Sequence, residues 1–166
     1  MRLNAMTFLG KMRFLSPKKR MEWYPLFRIM RIRVLEMDDQ WDHVRILLPL
    51  NWYTKNHGGN MFGGAQANLA DPIPALAIAR QFPGYRVMTK TLHMEFLRVG
   101  NTDLTLCFDF DPAQKAELAQ ELELHGRADS CFEMSYVRGD GKICTRIQNT
   151  VAIRHRHYIS SKEHKS

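Results

Sequence analysis

The sequence predicts an α+β fold in which an antiparallel sheet of about six strands wraps around one long helix. Two observations carry this prediction. An Ala-rich segment from Gly63 to Gln81 has the apolar spacing of a helix, and strand-like segments of alternating polarity lie on both sides of it. The chain of 166 residues is 45% hydrophobic, which suits one globular domain. A sheet that covers the helix lets both bury their apolar faces in one core.

Residues 1–30 are predicted to form an N-terminal helical extension. The segment is basic and rich in Met and Phe, and its apolar residues before Ser16 have a loose helical spacing. Ser16 and Pro17 start a helix, with serine as the N-cap, and Pro25 bends or ends it. We favour packing of this extension on the domain or on a partner subunit. The alternatives are an interfacial membrane helix and a transit peptide.

Residues 31–156 are predicted to form the main domain and residues 157–166 a polar tail. The domain opens with two strands, 32–36 and 43–50, and Pro49 ends the second strand or places it at a sheet edge.

The long helix carries prolines at 72 and 74, which remove two backbone donors. We therefore expect a kink beside Asp71. The stripe that faces the core is expected to be Leu69, Ile73, Leu76 and Ala77.

Four strands follow the long helix. Segments 87–97 and 104–110 alternate in polarity, and a short helix then starts at Asp111 and ends near Gly126. The last two strands, 130–137 and 143–154, form a hairpin whose Asp-Gly pair at 140–141 predicts a type I′ turn.

The net charge of +7 favours an anionic partner, and much of the excess lies near the two ends of the chain. A nucleic-acid module needs basic and aromatic residues grouped on one face, which the pattern does not predict, so we expect no nucleic-acid partner. No apolar segment reaches roughly 18 residues and no secretory signal is recognisable, so a cytoplasmic location is expected. The three cysteines lack metal-ligand spacing, and neither a metal nor a cofactor is predicted.

The most informative stretch runs from Asn56 to Ala79. Glycines before a helix let a ligand approach the backbone closely and leave free N–H groups there, and two Gly-Gly pairs precede this helix. Asp71 sits in the apolar run that follows, where a carboxylate is unfavourable unless it is paired or functional.

This stretch and the order of the elements resemble the hotdog-fold thioesterase superfamily. The signature is similar to that of the phenylacetic-acid-degradation type of acyl-CoA thioesterases. The matching positions are Asn56, Phe62-Gly63-Gly64 and Leu69-Ala70-Asp71, with Thr89 in the following strand. The family has a histidine at the position of Phe62 in this chain. The uncharacterised bacterial branch of the superfamily, which the chain also resembles, lacks that histidine in the same way. His57 is close enough in sequence to substitute for it, although a solvated loop residue is the alternative.

The resemblance implies hydrolysis of an acyl-CoA. The backbone N–H of Gly63 or Gly64 would stabilise the oxyanion, and Asp71, from the other subunit, would activate water or attack directly. Asn56 and Thr89 would hold the water or the carboxylate. The substrate would be contacted by Phe62, His57, Lys90 and Arg98.

The resemblance also implies a homodimer or a dimer of dimers with the active site at the subunit interface. Purely structural roles stay open for Asp71, for the Gly63-Gly64 pair and for Asn56. The alternative function is a hotdog protein that binds an acyl thioester or a lipid without turnover, because Phe62 breaks the signature.

Overall fold

The computed structural model describes residues 16–158 and confirms the predicted α+β architecture. The predictions for the first fifteen residues and for the tail beyond 158 lie outside the described residues. The elements are α1 (Pro17–Glu22), α2 (Pro25–Met30), β1 (Arg33–Met37), β2 (His43–Leu48), α3 (Gly63–Ala70), α4 (Pro72–Gln81), β3 (Tyr85–Phe96), β4 (Leu104–Asp109), α5 (Pro112–His125), β5 (Arg127–Arg138) and β6 (Ile143–His155).

The strands form one six-stranded antiparallel sheet in the order β1-β2-β4-β5-β6-β3. The strand β2 ends before Pro49, as predicted. Alternation places one face of each strand in the core, and the predicted inward residues of β4 and its flank are buried: Leu104, Leu106, Phe108 and Phe110. The first strand and β3 are the two edges of this sheet.

The long helix is interrupted at Asp71, the position predicted from its prolines. Asp71 keeps helical backbone angles (φ −50°, ψ −53°), so α4 continues the direction of α3 closely. Pro72 has no N–H to offer to the preceding turn, which explains the break in hydrogen bonding. Leu69, Ile73 and Ala77 are fully buried, but the prediction that Leu76 belongs to the same stripe is wrong. Leu76 is half-buried on an adjoining face.

The two short N-terminal helices belong to the same core. The Ser16 hydroxyl caps α1 by accepting a bond from the Lys19 amide at 3.3 Å, and Pro25 starts α2, as expected. Met21 and Phe27 are buried against the domain. No helix in the described part of the chain is long and apolar enough to cross a bilayer.

The bounds predicted for the helix after Asp111 are confirmed: α5 has 14 residues, is capped by Asp111 and ends at Gly126, which has φ 62°. One local prediction needs correction. The β5–β6 turn is not type I′, since only Gly141 of the Asp-Gly pair has a positive φ, 79°. The Gly141 amide bonds the Arg138 carbonyl at 2.9 Å, which leaves a turn followed by one left-handed glycine.

The edge strand β3 has twelve residues and pairs on one side only, with β6. Its register shifts between Thr89 and Thr91, so Lys90 forms a bulge. A long edge strand exposes unpaired backbone groups that can pair with another chain.

Candidate active site

The start of α3 is held by two backbone hydrogen bonds from the residues that precede it. The Met61 amide bonds the Gly100 carbonyl at 2.7 Å, and the Phe62 amide bonds the Thr54 carbonyl at 2.7 Å. Phe62 is the N-cap, and its side chain makes no capping bond. The first helical amides, those of Gly63 and Gly64, have no acceptor among the described residues. The helix therefore presents two free N–H groups at its positive end.

Two phenyl rings flank these amides. The position of a Cβ on Gly63 would lie 3.1 Å from the Phe96 ring, and one on Gly64 would overlap the Phe62 ring. Both rings are more than half exposed, at 56% and 53%. A cavity of about 490 Å³ reaches Gly63 and is also lined by Asn56 and Arg98. The cavity thus reaches Gly63, whereas the Phe62 ring lies against Gly64.

Asn56 belongs to the loop that leads to the cavity. Its Oδ1 accepts a bond from the Asn60 amide at 3.1 Å, and its own amide bonds the Asn60 carbonyl at 2.7 Å. Asn56 therefore closes the loop and keeps its side-chain N–H groups available. His57 is exposed on the same loop and makes no hydrogen bond within the described residues.

Asp71 is anchored through its backbone and exposes its carboxylate. Its carbonyl accepts bonds from the Asn149 side-chain amide at 2.9 Å and from the Thr89 hydroxyl at 3.3 Å. Its amide bonds the Ala67 carbonyl at 2.9 Å. Thr89 thus lies beside Asp71, as the resemblance implied, but it contacts the carbonyl and not the carboxylate.

The two predicted cationic ligands differ in availability. Arg98 donates to the Ile143 carbonyl at 2.7 Å and lines the cavity next to Gly63. Lys90 forms a 2.7 Å ion pair with Asp129, which also pairs with Arg154 at 2.6 Å. The Lys90 ammonium is therefore already neutralised within the sheet, whereas Arg98 faces the cavity.

The remaining titratable clusters lie away from this region. On the outer sheet face His43 bonds Glu36 at 2.8 Å and Asp109 at 2.7 Å, and these carboxylates raise its pKa. Burial raises the pKa of the Cys107 thiol. His, Cys, Asp and Glu side chains do not gather in groups of three or more suited to a metal ion within residues 16–158.

The sequence of the chain matches one family of known proteins. The family described as "Domain of unknown function (DUF4442)" matches residues 17–153. The chain belongs to this family. No curated protein has a sequence that matches the chain.

Solved structures similar to this DUF4442 member include several thioesterases. One, from Pseudomonas aeruginosa, is described as a protein of unknown function and "Probable Thioesterase"; it has a TM-score of 0.74 at 20% identity and covers 84% of this chain and 93% of its own. A Haemophilus influenzae thioesterase has a TM-score of 0.66 at 15% identity, with 87% and 96% covered. A Staphylococcus aureus thioesterase, solved as a Gln-to-Ala variant, has a TM-score of 0.61 at 15% identity, with 78% and 98% covered. These matches establish the hotdog fold.

The structure of this DUF4442 domain adds two buried polar residues that the sequence analysis missed, Gln66 and Asn149. Gln66 is buried in α3; its side-chain oxygen accepts a bond from the Thr145 hydroxyl at 2.7 Å, and its carbonyl accepts one from Tyr136 at 2.7 Å. Gln66 also lines the cavity beside Gly63. Asn149 is fully buried, and its Oδ1 has no partner within the described residues. The sequence signal that could have located these buried residues is a polar residue at an inward position of an alternating strand or of a helical stripe.

The predicted site residues fall into two groups within one chain. Asn56, the Gly63 amide and Arg98 share the first cavity, and Asp71 lies with Thr89 at the other end of α3. Eight residues separate Gly63 from Asp71, which corresponds to about 12 Å along a helix. A thioester carbonyl that is hydrogen-bonded to the Gly63 amide is therefore too far from Asp71 of the same chain to react with it or with a water molecule bound to it.

Proposed function

We propose that the protein hydrolyses acyl-CoA thioesters at a site that two copies of the chain complete. The observation that carries this proposal is the pair of free amides at Gly63 and Gly64, at the start of the long helix, where a cavity reaches Gly63. Amides held in this way stabilise the negative charge that develops on a carbonyl oxygen under attack. The two phenyl rings beside them suit the removal of water from that oxygen.

The edge strand β3 supports a composite site. Near one end, Thr89 contacts Asp71, and at the other end Phe96 contacts Gly63. If β3 pairs antiparallel with its copy about a two-fold axis between Leu92 and His93, Thr89 of one chain lies opposite Phe96 of the other. Asp71 of each chain then approaches the Gly63 amide of its partner, and two equivalent sites form.

The chemistry at such a site follows from the groups present. Asp71 takes a proton from a water molecule that attacks the thioester carbonyl. In the other route its carboxylate attacks the carbonyl, the CoA thiolate leaves, and water then hydrolyses the resulting anhydride to the free acid and the Asp71 carboxylate. The Gly63 or Gly64 amide holds the oxyanion, and collapse of this intermediate expels the thiolate of CoA. Asn56, on the same side as the amides, orients the water through its free side-chain N–H groups. Arg98 at the cavity mouth is placed for a phosphate of CoA.

The similar structures add support from sequence spacing. The Staphylococcus aureus protein was solved both as a Gln-to-Ala variant and as a Glu-to-Ala variant, and the two replaced positions are fifteen residues apart. Asn56 and Asp71 are also fifteen residues apart, with the same order of amide and carboxylate. This agreement favours a joint role for Asn56 and Asp71.

The first test is hydrolysis of a panel of acyl-CoAs, followed by the appearance of free thiol. We expect turnover by the wild type and a loss of about a hundredfold or more in kcat for Asp71→Asn, since the proton acceptor is removed. Asp140→Asn in the exposed β5–β6 turn is the matched control and should leave kcat unchanged. A wild type that hydrolyses no acyl-CoA, yet retains one on a column, would favour the alternative of an acyl-thioester binding protein.

The second test addresses the shared site by subunit complementation. Gly63→Pro deletes one amide, and Phe62 already has backbone angles (φ −69°, ψ 129°) that suit a residue before proline. When Gly63→Pro and Asp71→Asn are mixed, dissociated and reassembled, about a quarter of wild-type activity should return. Half of the dimers then contain one chain of each variant, and each of these dimers has one intact site out of two. Gly63→Ala, which keeps the amide, is the control. If the two variants are inactive alone and recover no activity when mixed, the site does not combine the Gly63 amide of one chain with Asp71 of the other.

A further inference from the structure

A second and larger concavity lies between the N-terminal helices and the long helix. It has a volume of about 630 Å³, within the range of small-molecule sites. Its floor is a stripe on one side of α3 and α4, made by Asn68, Pro72, Leu76 and Ala79. These residues recur at intervals of four, four and three, so they lie along one line parallel to the helix axis. We call this concavity the α1–α4 groove.

The walls of the α1–α4 groove are mainly apolar. Met21, Tyr24, Leu26 and Phe27 from the first two helices face the helical stripe. Charged lining residues are confined to Asp71, Arg20 and Arg80 among the described residues. An apolar trough of this shape offers contacts to a hydrocarbon chain and few partners to a polar ligand.

Asp71, where α3 becomes α4, lines the α1–α4 groove next to the end formed by Ala67 and Asn68. The same carboxylate is the group that the proposed function assigns to water activation. An apolar chain attached to the thioester carbonyl would therefore enter the groove directly from the reacting atoms.

The other end is closed by the β1–β2 turn. The Arg80 side chain donates to the Asp39 carbonyl, and the Gln81 side-chain Nε2 donates to the Gln40 carbonyl at 2.8 Å. Trp41, next in this turn, has a left-handed backbone (φ 65°) and turns its ring into the groove lining. Left-handed angles are unfavourable for a residue with a large side chain, which points to a role for this conformation at the groove.

We propose that the α1–α4 groove holds the acyl chain of the thioester and that Trp41 sets the longest chain that fits. The inference rests on the proposed function. Nine residues separate Asp71 from Arg80, or about 14 Å of helix. A carbon–carbon bond of about 1.5 Å advances an extended chain by somewhat less than its length, so the groove takes roughly ten to twelve carbons. The substrate class is thus medium-chain fatty acyl thioesters.

The test uses the full-length protein and two readouts across chain lengths from butyryl to palmitoyl. Binding is measured with non-hydrolysable S-alkyl-CoA thioethers by calorimetry, and turnover with the matching acyl-CoAs. Each methylene should improve binding about fourfold until the groove is full, and binding should then level off. Leu76→Trp narrows the groove midway and should weaken dodecyl-CoA binding by about tenfold or more, with the butyl compound little affected. Leu124→Trp on the exposed surface of α5 is the matched control.

Trp41→Gly is the complementary variant, since glycine adopts the left-handed angles without strain and the indole is removed. It should move the plateau to longer chains. Chain-length profiles identical to the wild type in both variants would overturn the groove assignment even if hydrolysis is found. Thioether binding that shifts in both variants without any turnover would uphold the groove and overturn the proposed hydrolysis.

Discussion

The side-chain amide of Asn149, in the buried centre of β6, donates a 2.9 Å hydrogen bond to the backbone carbonyl of Asp71. This contact joins the sheet to the point where the long helix is interrupted. Within residues 16–158 the Asp71 carbonyl has one further bond from outside the helix, from the Thr89 hydroxyl, so Asn149 and Thr89 together fix the position from which the carboxylate emerges.

Asn149→Leu removes this anchor at nearly constant volume. We expect the free energy of unfolding to fall by about 1 kcal/mol, because the Asp71 carbonyl loses the shorter of its two hydrogen bonds from the sheet and keeps the one from Thr89. We also expect acyl-CoA turnover to fall, because Asp71 loses its fixed position. Denaturant unfolding and the thiol-release assay measure the two effects. Gln148→Leu, on the outward side of the same strand, is the control; equal turnover in Asn149→Leu and Gln148→Leu would argue against a positioning role.

The bond between the Thr145 hydroxyl and the Gln66 side-chain oxygen is the second buried polar link between sheet and helix. Gln66→Leu should destabilise the protein by about 1–3 kcal/mol, since the Thr145 hydroxyl is then buried without a partner. Adding Thr145→Val should recover most of this loss, because both polar groups are then absent. A double-mutant cycle of unfolding free energies measures the coupling. A double variant no more stable than Gln66→Leu would contradict the pairing.

The order and type of the elements were predictable because they depend on local periodicity. The alternation around Leu106, the Ser16 cap and the prolines beside Asp71 each specify local structure through neighbouring residues. The strand order, with β3 at the edge, depends on contacts between distant segments and was not predicted. The turn at Gly141 also differed, because a single left-handed residue satisfies this hairpin where the Asp-Gly pair suggested two.

The candidate site was predictable only in part. The signature located the free amides and Asp71, since glycines and an isolated carboxylate are unusual in an apolar helix. The buried partners Gln66 and Asn149 were missed, because alternation places a residue inside without identifying what it bonds. The α1–α4 groove was not predicted either, because it arises between segments far apart in sequence.

The stability of the outer sheet face should depend on pH through His43. Hydrogen bonds to Glu36 and then Asp109 raise the His43 pKa above its ordinary value of 6.5. The protonated form is favoured by folding, so this contribution is complete below about pH 6.5 and is lost as the pH rises through the raised pKa. Because the side chain is 45% exposed, we expect a loss of no more than about 1 kcal/mol.

Denaturant unfolding at about pH 6 and about pH 9 measures this slope. His43→Gln should reduce the difference between the free energies of unfolding under the two conditions. Arg45 also bonds Asp109, at 2.7 Å, and stays charged throughout this range, so it does not contribute to the slope. An unchanged slope in His43→Gln would assign the pH dependence to other groups.

The role of the α3 amides can be tested by competition from within the chain. Phe62 occupies the N-cap without a capping bond. Phe62→Asp supplies a carboxylate that can accept a bond from the Gly64 amide, and a good N-cap raises stability by about 0.5–2 kcal/mol. The same carboxylate occupies the amide and places negative charge where the oxyanion would form. We therefore expect higher stability together with a loss of roughly a hundredfold in kcat.

Phe62→Ala separates the loss of the ring from the gain of the cap. It removes the partly exposed phenyl group and leaves the amide free, so its kcat should stay well above that of Phe62→Asp. If the amides stabilise the oxyanion, Phe62→Asp should have a higher free energy of unfolding and a lower kcat. Denaturant unfolding and thiol release, measured on the same preparations, give the two values. If Phe62→Asp is more stable and yet as active as Phe62→Ala, the oxyanion lies elsewhere, because the reaction then proceeds although the carboxylate occupies the amide.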